Sequence, residues 1–257
     1  MSTAYEKMIV LCATQRCGST MVVEDMRSTG LLGVPEEYFI PWVGNEADID
    51  WIKQFENILV KATTQNNIAA VKIMADQIPA IDECLKKSTP SGLVDNEALF
   101  PYFRHHFQNV KFVFIRRDSV VRQAISRAMS RQTGINHATA NASDVHFAGN
   151  LMKGYKPEYN DSAKYDKAML DKDVLEIIQE NLAWESYFNS WGLTHPLTLR
   201  YEEICKNSPG YLQRIAKYCD IDLPESKLPT NRKMVKLSNS KNDDWCDQYL
   251  ENNFKVA

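Results

Sequence analysis

Near the N-terminus an apolar run, Met8 to Ala13, passes into Thr14-Gln-Arg-Cys-Gly-Ser-Thr20. That order reads as a buried strand, a tight polar loop and the start of a helix. A helix start offers unpaired backbone N–H groups and the positive end of the helix dipole. Gly18 lets the backbone come close to a ligand, Ser19 and Thr20 add hydroxyls, and Arg16 adds a planar cation. These parts suit a phosphate or a sulfate. The consensus G-x-x-x-x-G-K-[ST] is not met: Cys12 and Ala13 are not glycine, and Ser19 stands where the lysine would be. The loop argues against an ordinary ATPase or GTPase.

A second anion candidate begins at Lys111-Phe-Val-Phe-Ile115 and turns at Arg116-Arg117-Asp118 into a helix carrying Ser126. Two anion sites at neighbouring strand ends fit a ligand with a phosphate at each end, such as a nucleoside bisphosphate. In an open α/β sheet, ligands bind at the carboxyl ends of strands, where both motifs sit.

The elements that must hold these residues follow from periodicity. Buried strands are expected at 8–13, 69–74, 111–115 and 197–199, each between helical patterns. That alternation predicts one α/β domain over 1–257, a central, mostly parallel sheet with helices on both faces. A helix runs over about 19–29 and stops at Gly30. Asp48 is expected to cap a second helix, whose stripe is Trp51, Ile52, Phe55, Ile58, Leu59 and Ala62. Residues 133–172 are polar with little periodicity and read as an excursion or lid. A long helix is expected over about 173–191, with Ile177, Ile178, Leu182 and Phe188 on its apolar side. Ser208 and Pro209 read as the cap and first residue of another helix. A basic segment, 226–241, carries Lys227, Arg232, Lys233, Lys236 and Lys241 without an acid, and a last helix starts near Asp243. No exposed apolar seam is legible.

The bulk composition narrows the classes. With 257 residues, 44% apolar and 25% charged, the chain can bury a full core and is neither disordered nor fibrous. A net charge of −3 gives no drive toward nucleic acid, so any anion site is a local cluster. The six cysteines form no C-x-x-C pair, which disfavours a zinc site or a disulfide framework. No apolar run reaches the roughly 18 residues of a membrane span, and the N-terminus shows no signal-peptide pattern. A cytoplasmic protein with reduced thiols is expected.

The runs A-T-Q-R-C-G-S-T-M, T-G-L-L-G-V-P-E-E-Y-F, V-K-I-M and R-R-D-S-V-V-R-Q-A-I-S-R-A-M-S-R-Q-T-G, in that order, resemble the trehalose 2-sulfotransferase-like family of bacterial carbohydrate sulfotransferases. The resemblance implies a P-loop-type three-layer fold and use of 3′-phosphoadenosine-5′-phosphosulfate (PAPS) as co-substrate without a metal. It implies that Arg16, Cys17 (through its backbone), Gly18, Ser19 and Thr20 hold the 5′-phosphosulfate, and that Arg117 and Ser126 hold the 3′-phosphate. Glu37, the second acid of Pro35-Glu-Glu-Tyr-Phe39, matches the position of the general base on an acceptor hydroxyl. Lys72 and Lys236 are further candidates, the first beside the transferring group and the second at the 3′-phosphate. A homodimer and a small-molecule or glycolipid acceptor are also implied. Two departures stand out. Cys17 replaces a serine common in the family, and Asn136 stands where an aromatic is expected, which bears on acceptor specificity; because the 133–172 region also differs, trehalose itself is not assumed as acceptor. None of the five histidines matches a catalytic position.

The expectation is therefore a PAPS-dependent sulfotransferase acting on a hydroxyl by in-line displacement. A P-loop-type small-molecule kinase and a non-catalytic nucleotide-binding protein are the alternatives. A cysteine-dependent phosphatase is excluded, because neither Cys12 nor Cys17 is followed by an arginine six positions on.

Overall fold

The computed structural model describes residues 5–90, 92–95, 97–107, 110–144, 149, 151–192, 196–206 and 209–254. Its centre is a sheet of four parallel strands, β1 (Lys7–Ala13), β2 (Ile68–Met74), β3 (Val110–Arg116) and β6 (Leu197–Arg200), in the order β2-β1-β3-β6. β1 is the innermost of the long strands and pairs on both sides, Val10 lying opposite Val71 and Phe112. Successive side chains of a strand point to opposite faces, and β1 divides its residues accordingly. Met8, Val10 and Cys12 enter one core with Trp51, Phe55, Phe103 and Trp184. Ile9, Leu11 and Ala13 enter the other with Val22, Met26, Leu212 and Ile215. The three-layer α/β fold expected from the sequence is what forms.

Helix α1 (Ser19–Thr29) and its stop, Gly30 at φ 66°, lie where the sequence places them. α2 (Trp51–Ala62) buries Trp51, Phe55, Ile58, Leu59 and Ala62, while Ile52 is only half-buried. Its cap is Asp50 rather than Asp48: the Asp50 carboxylate accepts the Lys53 amide at 2.9 Å, the geometry that satisfies an orphan N–H of the first turn. α3 (Ile78–Ser88) and α4 (Pro101–His106) complete that face. After β3, Ser119 caps α5 (Val120–Thr133), which Gly134 ends.

The described residues of the polar stretch after α5 include regular elements that its composition does not suggest. The stretch contains β4 (His137–Thr139) and β5 (Leu151–Met152), which with β7 (Met234–Val235) form a second, small sheet in the order β5-β4-β7. The long helix α6 (Lys167–Ser190) begins six residues before the expected 173, because Asp166 caps it and Leu170 is buried. Its buried side carries Leu170, Ile177, Trp184 and Phe188, whereas Ile178 and Leu182 face outward with Leu175. At 100° per residue, 178 and 182 fall off the stripe that 170, 177, 184 and 188 share. Leu175, Ile178 and Leu182 thus form an exposed apolar seam that the sequence does not announce. α7 (Tyr201–Lys206) and α8 (Gly210–Tyr218) follow β6. Of the expected 208–209 cap, Ser208 lies outside the described residues and Pro209 stands at the N-cap of α8. The last helix, α9 (Ser240–Phe254), starts three residues before Asp243 and packs on α5 through Trp245 and Tyr249. Among the described residues no helix is long and apolar enough to cross a membrane.

Candidate active site

The loop after β1 is fixed from three sides. Trp184 Nε1 donates to the Ala13 carbonyl at 2.9 Å, and Gln123 Nε2 donates to Thr14 Oγ1 and the Gln15 carbonyl, both at 2.8 Å. Arg16 takes φ 68° and Gly18 φ 94°, two left-handed residues that turn the chain sharply into α1. For a non-glycine residue that conformation costs about 1–2 kcal/mol, so the loop spends backbone strain on the placement of Arg16. Glycine is required at 18 for a further reason. A Cβ there would lie 2.5 Å from Tyr201 Cδ2, so the Tyr201 ring, at the end of β6, packs directly on the loop.

Arg16, Gly18, Ser19, Thr20, Arg117 and Ser126 line one cavity of about 430 Å³ at the carboxyl ends of the strands. Arg16 Nε donates to Ser126 Oγ at 3.1 Å, and its NH1 donates to the Asn136 carbonyl. Burial is the main cause that brings its guanidinium down to about 10, still charged at neutral pH. Arg117 stacks on the Tyr201 ring at 4.6 Å, its Nε is buried without a hydrogen-bond partner, and burial lowers its pKa. Burial also pushes the Tyr201 phenol up to about 12, so the ring carries no charge at neutral pH.

Neither cavity arginine has a carboxylate within 4 Å among the described residues. Arg27, Arg116, Arg122, Arg127, Arg131, Arg200, Arg214 and Arg232 each have one. Buried charges are ordinarily paired. Two guanidinium groups that line the same cavity, neither paired with a carboxylate among the described residues, give this part of it the positive charge that suits an anion. Cys17 does not join the lining: its side chain is buried and its N–H donates to the Thr14 carbonyl at 3.2 Å.

Two acids line the same cavity. Glu36 and Glu37 border the cavity from the segment beside β2, where Lys72 N–H donates to the Glu36 carbonyl at 3.0 Å. The two carboxylates have different partners. Glu36 Oε2 pairs with Arg27 at 3.3 Å, and Arg27 Nε also donates to the Pro35 carbonyl at 2.9 Å. Glu37 Oε1 pairs with Lys72 Nζ at 2.5 Å, and the lysine side chain is only 4% exposed. Phe39 is fully buried and stacks edge-on with Trp42, while Tyr38 OH donates to the Val34 carbonyl, so the segment is anchored on both flanks. Lys236 lines the cavity just beyond β7 and is exposed.

The sequence model of the Stf0 sulphotransferase family matches residues 8–252. The chain belongs to that family. A relative, the trehalose 2-sulfotransferase of Mycobacterium tuberculosis, is 24% identical over a 282-residue alignment covering 97% of this chain and 96% of the relative. The family makes this a sulfotransferase, an enzyme that needs a sulfate donor and an acceptor.

In this Stf0 sulphotransferase the cavity gathers all the residues singled out from sequence except Cys17. Among the further lining residues are Tyr201, which was not singled out, and His137, which was set aside with the other histidines. His137, the first residue of β4, places Nε2 3.4 Å from Thr20 Oγ1. Tyr201 carries no motif, but it follows the carboxyl end of β6, and the strand-end rule applied to that fourth strand points to it. Asn136, noted as a departure from the family pattern, serves Arg16 through its backbone carbonyl, which any residue type supplies.

Proposed function

We propose that this sulfotransferase moves a sulfuryl group from PAPS to a hydroxyl of a carbohydrate or glycolipid-type acceptor, with Glu37 as general base. The observation that carries the reading is the pairing pattern: Arg16 and Arg117 face the cavity without carboxylates, while Glu37 is held at its edge by a buried lysine. The orphaned Nε of Arg117 and the free N-terminus of α1 fit the two anionic ends of such a donor. When bound, the donor supplies an electrophilic sulfur and a bisphosphate leaving group.

The chain's own residues do the rest. Arg16 and the α1 N-terminus with Ser19 and Thr20 stabilise charge on the transferring group, as preorganised donors do. Arg117, Ser126 and Lys236 hold the other phosphate. Glu37 accepts the acceptor's proton as its oxygen attacks, a contribution of about 10²–10⁴-fold for positioned general bases. Lys72 orients that carboxylate. Glu36 is committed to Arg27, which favours Glu37 over it. The six free cysteines support a reducing, cytoplasmic compartment.

The test is a screen of sugars, glycolipids and phenols for label transfer from radiolabelled PAPS by the full-length chain. Transfer to a sugar-type hydroxyl is expected. Label transfer from ATP with magnesium, and none from PAPS, would replace this reading with a kinase.

A further inference from the structure

Part of the cavity wall is a strap, residues 233–238, that contributes Met234, Val235, Lys236, Leu237 and Ser238 to the lining. Met234 and Leu237 of the strap are buried, but neither joins one of the three large hydrophobic clusters. The middle of the strap is β7, two residues long, paired with β4, and the Ala140 amide donates to the Lys233 carbonyl at 2.9 Å. What fixes it lies just outside each end. At the far end Asn239 Nδ2 donates to the Pro157 carbonyl and to Oδ1 of the fully buried Asn160, at 2.8 and 2.9 Å, and Lys241 Nζ donates to the Asn160 and Asp161 carbonyls.

At the near end the tie is a buried ion pair. Arg232 Nε and NH2 both lie 2.9 Å from Oδ2 of Asp25, and NH2 also donates to the Ile204 carbonyl at 3.1 Å. Tyr211 OH donates to the same Asp25 oxygen at 2.6 Å, and its ring lies 5.8 Å below the Arg232 guanidinium. Asp25 is 3% exposed and sits on α1, the helix whose N-terminus forms the anion loop. None of Asp25, Tyr211 and Arg232 lines the cavity.

We infer that Asp25, Arg232 and Tyr211 are positioning residues that lock the 233–238 strap to the anion-loop helix and so set donor affinity. A desolvated pair of this kind is costly to break from one side, because the remaining charge is left buried. A pair placed between α1 and the strap makes the two cavity walls move as one. Lys236 is exposed and lines the cavity, so the locked strap presents its ammonium to a ligand. The effect on donor affinity rests on the PAPS reading above; the lock itself does not.

The test uses the full-length chain and Arg232→Met, Arg232→Lys, Asp25→Asn and, as a core control at the opposite end of the sheet, Ile68→Ala. Two quantities are read: amide exchange of peptides covering 233–238 and 137–140, and the Kd of adenosine 3′,5′-bisphosphate. Arg232→Met is expected to speed strap exchange at least ten-fold without changing β1, and to raise the Kd at least ten-fold. Arg232→Lys should recover most of both, and Asp25→Asn should match Arg232→Met if that variant folds poorly. Ile68→Ala should lower Tm while leaving both readouts in place. Strap exchange and Kd within two-fold of wild type in Arg232→Met and Asp25→Asn would overturn the inference. A wild-type chain that takes no bisphosphate, with strap exchange still faster in the variants, would keep the lock and overturn the donor reading.

Discussion

Replacing Gly18 by alanine strains the site in two separable ways. The backbone stays at φ 94°, which costs an L-residue about 1–2 kcal/mol. The new methyl meets Tyr201 Cδ2 at 2.5 Å, and the ring cannot simply turn away, because Arg117 is stacked on it at 4.6 Å. Overpacking of that kind adds about 1–3 kcal/mol. The total of about 2–5 kcal/mol should lower Tm by on the order of 5–15 °C in a domain of this size. The displaced ring takes Arg117 with it, so the Kd of adenosine 3′,5′-bisphosphate should rise about ten-fold, equivalent to ~1.4 kcal/mol. A double-mutant cycle with Tyr201→Ala separates the parts. The clash is removed in the double variant and the backbone strain is not, which predicts a coupling of about 1–3 kcal/mol. Thermal melts and bisphosphate titrations on the four proteins measure it. A wild-type Tm in Gly18→Ala, or strict additivity in the cycle, would refute the packing of Tyr201 on the loop.

Arg117→Ala should raise the bisphosphate Kd by about 10–100-fold while leaving Tm unchanged or higher, since it removes a half-buried cation, with a buried unpartnered Nε, that has no carboxylate within 4 Å among the described residues; a lowered Tm with unchanged Kd would make Arg117 structural. Glu37→Gln should bind the bisphosphate normally yet transfer about 10²–10⁴-fold more slowly, whereas Glu36→Gln, which loses its charge toward Arg27, should be mild in turnover and visible in Tm. His106 is held down to about 4, mainly by burial and then by His105, against 6.5 for the free group. The unfolded chain therefore binds the extra proton first, and stability should fall by about 1–3 kcal/mol as pH drops from about 6.5 to about 4. Denaturant titrations at several pH values should show that acid limb flattened in His106→Gln; an unaltered limb would remove His106 as its source.

The parts of the molecule most legible in the sequence are those where one physical signal dominates. β1 is an unbroken apolar run because both of its faces are buried, and α1 ends where Gly30 can take the left-handed conformation. The small sheet was hidden because strands of two or three residues carry no period to read. The first turns of α6 were hidden by their charges: Lys167, Asp171 and Lys172 reach solvent, and only Leu170, with Met169 partly buried beside it, marks the core. Arg16 and Arg117 were picked out because residue type and strand-end position coincide, and Glu37 by the family resemblance alone. Their pairings were not legible, because Lys72 meets Glu37, and Tyr201 meets both Gly18 and Arg117, only through the fold. Gly18, expected to let a ligand approach the backbone, lines the cavity, and its left-handed turn and its contact with Tyr201 are what residue type alone did not reveal.

The most direct test of the central claim is a calorimetric titration of adenosine 3′,5′-bisphosphate into the full-length chain with chelator present, set against ATP with magnesium. Two arginine-bearing anion sites in one cavity predict one bisphosphate per chain, with a Kd that neither chelator nor magnesium alters and that Arg117→Ala weakens. Binding that requires magnesium, or ATP bound more tightly than the bisphosphate, would contradict the assignment of this cavity to a sulfuryl donor.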